Sequence, residues 1–308
     1  MEEYGLRRVA ALAKSGELYR VRRGLYLPAK LWASLAPWEK YRVTIQAVHE
    51  LALTPPVFSR ESAAQIMGLP IIHIPGSIYT VVSPGRSGGQ SSAGIIRANA
   101  IVGDPAPWEL SGLRMTPPPQ TARDLALRLP FTQALPAMDR VLLAKPLPDA
   151  PLNGTRLFTR EDVLASVALL PNQTQRRRVE RVLEFANGLS GSAGESLSRA
   201  VMILNGFPAP ALQKEFNDSR GRIGFPDFDW EEFKLLGEFD GYEKYSAQRY
   251  LKGKTPSEVV VEEKKREDRL RAKGYKVVRW LWEDIRNPQR LIRLLTEAGL
   301  PQGEPLRH

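Results

Sequence analysis

Four carboxylates, Asp227, Asp229, Glu238 and Asp240, sit in two otherwise apolar segments, Gly224-Phe225-Pro226-Asp227-Phe228-Asp229-Trp230 and Leu235-Leu236-Gly237-Glu238-Phe239-Asp240-Gly241. A structural hairpin normally carries one apolar and one neutral polar face, so acids on strands this apolar ask for a cation. Residues two apart share a face. Asp227 and Asp229 therefore look one way, as do Leu236, Glu238 and Asp240 on the partner. If the reversal centres on Glu231-Glu232, Trp230 pairs with Phe233 and Asp227 lies opposite Leu236, with Glu238 its diagonal neighbour about 7–8 Å away at Cα. Two carboxylates so placed can grip one hard cation; without it they repel, and one takes up a proton.

The chemistry that fits is phosphodiester hydrolysis. Magnesium, or manganese in its place, makes a water nucleophilic and neutralises phosphoryl charge, and magnesium is content with one or two protein carboxylates. Asp227 and Glu238 are the expected direct ligands, and Asp240 is a further ligand or orients the water. Glu195, at a helix start, would bind a second ion or a metal-bound water, Gln213 would orient water or substrate, and Lys244 would touch the scissile phosphate. Each has a plainer alternative. Glu195 could pair with Arg199 at i,i+4, Gln213 could simply end a strand, Lys244 could be a solvated turn residue, and Asp229 could only initiate the turn.

Composition excludes other chemistries. The chain has 308 residues and no cysteine, which removes disulfides, zinc–thiolate sites and cysteine nucleophiles. Only His49, His73 and His308 carry imidazole, none near the acidic segments in sequence. The net charge of +10 is uneven: residues 1–190 hold 23 Lys+Arg against 15 Asp+Glu, and residues 191–308 hold 21 against 19. That excess favours a polyanionic partner such as DNA. No apolar run reaches membrane-spanning length and the first residues lack a signal-peptide pattern, so the expected location is cytoplasmic, with no membrane partner.

The elements that must position these residues follow from periodicity. A basic helix from Leu6, with Arg7 and Arg8, ends near Gly16. Glu17 to Leu27 then reads as two strands turning at Arg23-Gly24, carrying Arg20, Arg22 and Arg23. Helix followed by wing is the second half of a winged helix-turn-helix, and a solvated basic surface is the alternative. Helices are expected over Trp38–Leu53, over Ser59–Met67 with Ser59 as cap, and over Thr121–Leu129 and Phe131–Leu143. Ile78–Val82 and Gly94–Ala100 read as strands around a Gly/Ser-rich loop with Arg86, and Pro146–Thr155 as a connector. Thr174–Asn187, with Arg176, Arg177 and Arg178, is a basic helix suited to a solvated face or a phosphate backbone. Beyond a boundary near Gly188–Gly194 come a helix from Glu195, a strand through Phe216, the acidic hairpin, a helix over Ser257–Lys273, a strand over Tyr275–Leu281 and a last helix. That order is an α/β sandwich with a mixed sheet.

These motifs in order, Gly194-Glu195-Ser196-Leu197-Ser198-Arg199, Gly206-Phe207-Pro208 to Gln213, Pro226-Asp227-Phe228-Asp229-Trp230, Gly237-Glu238-Phe239-Asp240-Gly241 and Lys244-Tyr245, closely resemble Vsr-like domains of the restriction-endonuclease-like PD-(D/E)XK superfamily. Lys265 to Arg271 and Gly274 to Arg279 extend the likeness, which covers roughly residues 190–298. It implies a Vsr-like endonuclease fold over 190–300, with Asp227 and Glu238 as first and second metal carboxylates and Asp240 where the usual pattern has lysine. Glu17 to Tyr26, Ser59-Arg60-Glu61-Ser62-Ala63-Ala64 with Gly68-Leu69-Pro70, and Thr116 with Thr121 to Ala126 resemble AbiEi-type antitoxin regulators of type IV toxin–antitoxin systems. That likeness implies a partial winged helix over 1–30, an antitoxin-like α+β middle domain over 31–187, and a cognate toxin as partner. In that family two more helices normally stand ahead of the one starting here at Leu6, so the winged helix expected here is a reduced one or the true start lies upstream.

Three functions fit these features. One is a DNA-binding protein with a magnesium-dependent endonuclease or nickase domain. The second is a non-catalytic regulator or antitoxin using a nuclease-like fold to hold DNA or a toxin, and the third is an interaction protein whose acids are only surface.

Overall fold

The computed structural model describes residues 5–82, 94–144, 157–241 and 256–306. Lys244, the loop at 83–92 and the connector at 146–155 lie outside them. The chain is mixed α/β and divides into two compact units, 1–128 with 145–184, and 129–144 with 185–308. Residues 129–144 fall within the expected middle domain, 31–187, and group by contacts with the second unit.

In the first unit α1 (Leu6–Lys14) leads into the antiparallel pair β1 (Leu18–Arg22) and β2 (Leu25–Pro28). Then come α2 (Ala29–Ser34), α3 (Pro37–Glu50), β3 (Val57–Phe58), α4 (Arg60–Met67), β4 (Ile78–Val82), β5 (Ile95–Asn99), β6 (Trp108–Leu110), β7 (Leu113–Met115) and α5 (Pro118–Arg128). α6 (Phe131–Leu142) belongs to the second unit, and α7 (Arg160–Ala168) and α8 (Gln173–Phe185) return to the first. Among the described residues the strands β5-β4-β3-β7-β6 form one mixed sheet. β3, β6 and β7 are only two or three residues long, too short to show an alternating pattern in the sequence. The α5 residue Arg123, 1% exposed, is matched by Asp104 and Asp124, each at 2.8 Å. Both pairs are needed because a buried guanidinium without counter-charge costs several kcal/mol.

The second unit continues with α9 (Ala193–Leu204), β8 (Ala211–Leu212), β9 (Phe216–Asp218), β10 (Gly221–Gly224), β11 (Phe228–Trp230), a 3₁₀ turn at Glu231–Phe233 and β12 (Leu235–Asp240). α10 (Pro256–Ala272), β13 (Lys276–Leu281), α11 (Trp282–Arg286) and α12 (Pro288–Glu297) follow. The strands order as β13-β12-β11-β8, with β12 parallel to β13 and antiparallel to β11. One face of this sheet is aromatic. Phe228 stacks between Trp230 and Trp280, and the Trp280 indole N–H donates to Ser198 Oγ on α9 at 2.7 Å. The other face buries Leu236 in a cluster with Phe216, Ile223, Leu270 and Tyr275.

α9 comes close to β12 only because position 194 has no side chain. A Cβ built on Gly194 would lie 2.0 Å from Phe239 Cε1. Ala is otherwise the better helix former by about 1 kcal/mol, but no real contact is that short. Gly194→Ala should therefore destabilise the fold by about 1–3 kcal/mol, the usual cost of overpacking. Urea unfolding followed by tryptophan fluorescence measures it, and an unchanged midpoint would refute the packing argument.

Candidate functional site

Close packing at Gly194 brings the first turn of α9 to the sheet. Ser192 caps this helix by accepting the Glu195 N–H at 3.2 Å, and Glu195 Oε2 accepts the Gly191 N–H at 2.8 Å. The amide of Gln213 spans the gap from this turn to β11, with Nε2 at 3.4 Å from both Glu195 Oε2 and Asp227 Oδ1. Gln213 does so from a left-handed backbone, φ 51°, a conformation that costs a non-glycine residue free energy and recurs at functional positions. Asp227 Oδ2 accepts the Phe239 N–H at 2.8 Å, which fastens the entry of β11 to β12. Three expected site residues, Glu195, Gln213 and Asp227, are thus brought together.

The expected register needs correction. The turn is longer than a reversal at Glu231-Glu232, because a 3₁₀ turn and Lys234 in the left-handed region (φ 47°) intervene. Trp230 consequently pairs with Leu235 rather than Phe233, Asp229 with Leu236, and Phe228 with Gly237. Continued by one residue, this register sets Asp227 directly opposite Glu238, not diagonal to it. A shift of two keeps every side chain on its face, so Asp227 stays on the side of Glu238, whose carboxyl its negative charge raises.

Glu238 is 4% exposed and does not stand alone. Arg266 Nη2 of α10 lies 2.8 Å from Oε1, and Arg279 Nη2 of β13 lies 3.1 Å from Oε2. Arg279 faces Glu238 across the parallel ladder and also contacts Glu263 at 3.4 Å and Glu267 at 3.2 Å. Oε1 has the Arg266 charge nearby but no aligned hydrogen-bond donor among the described residues. Burial pushes the Glu238 carboxyl above its ordinary range. The two guanidiniums pull it down, and the negative charges of Asp227 and Asp240 push it up again. Asp240, 7% exposed, lies two residues on along the same face.

Other expected partners are replaced. Glu195 makes no i,i+4 pair with Arg199, whose guanidinium instead reaches Asp139 at 2.7 Å and Ser190 Oγ at 3.2 Å. Asp229 is not merely a turn residue. It is 3% exposed and matched by Lys214 at 3.1 Å. Arg7, Arg8, Arg20 and Arg23 are exposed and Arg22 is half-buried. In the arginine run of α8, Arg177 is exposed, whereas Arg176 donates to the Leu170 and Ala168 carbonyls and Arg178 to that of Ala126. Sequence reasoning assigned no role to Arg266 and Arg279. The signal for Arg279 was its place on the strand beside the acids, legible only once β13 is known to pair with β12.

An oxygen-only donor set, with one buried carboxylate oxygen lacking an aligned donor, fits a hard divalent cation. Among the described residues no three carboxylate or imidazole groups converge closely enough to enclose a metal ion. The pair Asp227 and Glu238, completed by water, is the protein share that magnesium ordinarily takes.

No protein-family model matches the chain. The uncharacterized proteins MT2308 and Rv2248 of Mycobacterium tuberculosis, strains CDC 1551 / Oshkosh and ATCC 25618 / H37Rv, are each 30% identical to it over 186 residues. The match takes in 59% of this chain and spans 60% of the length of each relative. The crystal structure of the RV2827C protein from Mycobacterium tuberculosis aligns with 70% of this chain and 78% of its own, at a TM-score of 0.35 and 15% identity. No helix among the described residues is long and apolar enough to cross a membrane.

The raised Glu238 carboxyl has a stability consequence. The folded state holds that proton more tightly than the unfolded chain does. Its contribution is therefore fully present below the ordinary value of 4.5 and is lost as pH rises through the higher folded value. Glu238→Gln, which cannot titrate, should gain stability relative to wild type as pH rises from 4.5. Urea unfolding across that interval measures it; wild type gaining on the variant would reverse the assigned direction.

Proposed function

We propose that the C-terminal unit is a magnesium-dependent DNA phosphodiesterase, an endonuclease or nickase of the Vsr-like, PD-(D/E)XK type, on a chain whose N-terminal winged helix and middle region hold DNA. The observation that carries this reading is the meeting of Glu195, Gln213 and Asp227, from three separate stretches of the chain, with Asp227 near enough to Glu238 to raise its carboxyl. A purely structural use of these acids would not need Gln213 in a strained backbone to join two of them.

Asp227 and Glu238 would hold the ion, with Asp240 alongside. When bound, magnesium supplies charge neutralisation at the phosphoryl oxygens and an acidified water. Glu195 and Gln213 orient a water by accepting and donating hydrogen bonds at the α9 end of the site. Arg266 and Arg279 add positive charge next to where a phosphate would lie.

The second reading is a non-catalytic regulator or antitoxin, in which the nuclease-like unit holds DNA or a toxin. One observation favours it: the arginines on Glu238 already supply counter-charge that a cation would bring.

Plasmid nicking with magnesium or manganese separates the two. Wild type should cleave, and Asp227→Ala and Glu195→Gln should each lose on the order of 100-fold or more, the scale of removing one preorganised group from a charged transition state. No cleavage by wild type, with manganese binding equal in wild type and Asp227→Ala, would leave the regulator reading.

The DNA contact proposed for the N-terminal hairpin can be tested separately. Replacing the exposed Arg20 and Arg23 together by Gln should weaken binding to duplex DNA and lower the salt slope by roughly two, about one per phosphate contact. Arg178→Gln should lower that slope less than the double variant does, since its guanidinium is anchored to the Ala126 carbonyl. Titration at several salt concentrations gives the slopes, and an unchanged slope for the double variant would remove the hairpin from the interface.

A further inference from the structure

We propose that the first unit carries a binding site for a small phosphorylated ligand of nucleotide size, in the cavity at the start of α4. This cavity, of about 350 Å³, is lined by residues that include Ser59, Arg60, Asn99, Gln120, Arg128 and Gln175. Its volume is that of a small-ligand pocket, and its lining is dominated by polar side chains.

Ser59 stands at the N-cap position of α4, yet its side chain makes no capping bond. The hydroxyl is buried and finds no hydrogen-bond partner among the described residues, with Ser59 only 2% exposed. The nearby Ser62 performs the structural work, bonding Tyr41 OH at 2.7 Å and accepting the Tyr79 N–H at 2.8 Å. A buried hydroxyl without a partner at a helix N-terminus is costly unless something else satisfies it, and the helix dipole there favours an anion.

Arg60 adds a second anomaly. Its backbone lies in the left-handed region, φ 50°, which a long side chain tolerates only under constraint. The guanidiniums of Arg60 and Arg128 both lie over the Tyr79 ring, at 5.7 and 4.8 Å from its centroid. Arg128 is 41% exposed and its only close carboxylate is Glu61, at 3.4 Å. Arg123 is held by Asp104 and Asp124 and Arg128 by Glu61, which balances the formal charges around the cavity, and Arg60 makes no salt bridge among the described residues. Two guanidiniums, a hydroxyl and a helix start are the donor set of a phosphate site. Gln175, whose carbonyl oxygen is also without a partner, and Asn99 offer amides to a polar heterocycle beyond it.

Thermal denaturation and calorimetry of the full chain with inorganic phosphate, adenosine monophosphate and a short DNA duplex test this. Two variants are chosen to fold at least as well as wild type. Ser59→Ala removes an unsatisfied hydroxyl, and Arg60→Gly relieves the positive φ. Phosphate and the nucleotide should raise the wild-type melting temperature, with the nucleotide binding more tightly. Both variants should match or exceed wild type without ligand, and each should bind the nucleotide at least tenfold more weakly. No response of wild type to either small ligand would overturn the proposal, as would a response that both variants retain. Displacement by duplex DNA, with no gain of nucleotide over phosphate, would assign the arginines to a polymer backbone and overturn the small-ligand assignment.

Discussion

Burying Glu238 is the constraint around which the C-terminal unit is arranged. A carboxylate taken out of water costs several kcal/mol unless it is paired, and one counter-ion held at poor geometry does not recover that cost. The fold brings charge from two directions. Arg279 comes from the neighbouring parallel strand and Arg266 from the helix covering that face. Arg266 reaches the acid because Gly224 has no side chain: a Cβ there would meet Arg266 Nε at 2.8 Å. Glu263 and Glu267 also contact the Arg279 guanidinium, Glu267 through the same Nη2 that reaches Glu238.

The opposite face obeys a different rule. There the aromatic stack of Phe228, Trp230 and Trp280 needs a close-packed lid, and α9 provides it through Gly194 and the Ser198–Trp280 hydrogen bond. Glu195 sits one residue beyond that contact. The helix start is therefore fixed by packing on the aromatic face, while the carboxylate it carries meets Gln213 and Asp227 at the sheet end. Positioning by rigid elements is what a preorganised polar site requires.

Parity along a strand is the information the sequence carries most firmly, and it places Asp227 and Glu238 on one face. What it lacks is the length of a turn. Nothing in Glu231-Glu232-Phe233-Lys234 announces that Lys234 adopts a left-handed backbone, so the register came out two residues away while the faces stayed correct. The partners of charged residues were legible only where they were local. Arg199 answers to Asp139, sixty positions away in sequence, so an i,i+4 reading fails. Ser59 has the residue type and spacing of a cap, but the turn at Arg60 diverts it, and backbone strain is not written in residue types.

What separates a nuclease from a regulator here is the arginines rather than the acids. A guanidinium pair is counter-charge the fold supplies for itself, whereas a divalent ion has to be taken from solution, and either one answers the same electrostatic need. The acids alone therefore do not discriminate. Arg279, however, has two further carboxylates beside Glu238, and Arg266 is partly exposed to water. Neither would be left as a buried unpaired cation if Glu238 took another partner. A counter-charge meant to be permanent has no need of that second set of partners. With Glu263 and Glu267 beside it, Arg279 stays paired whether or not Glu238 is engaged elsewhere.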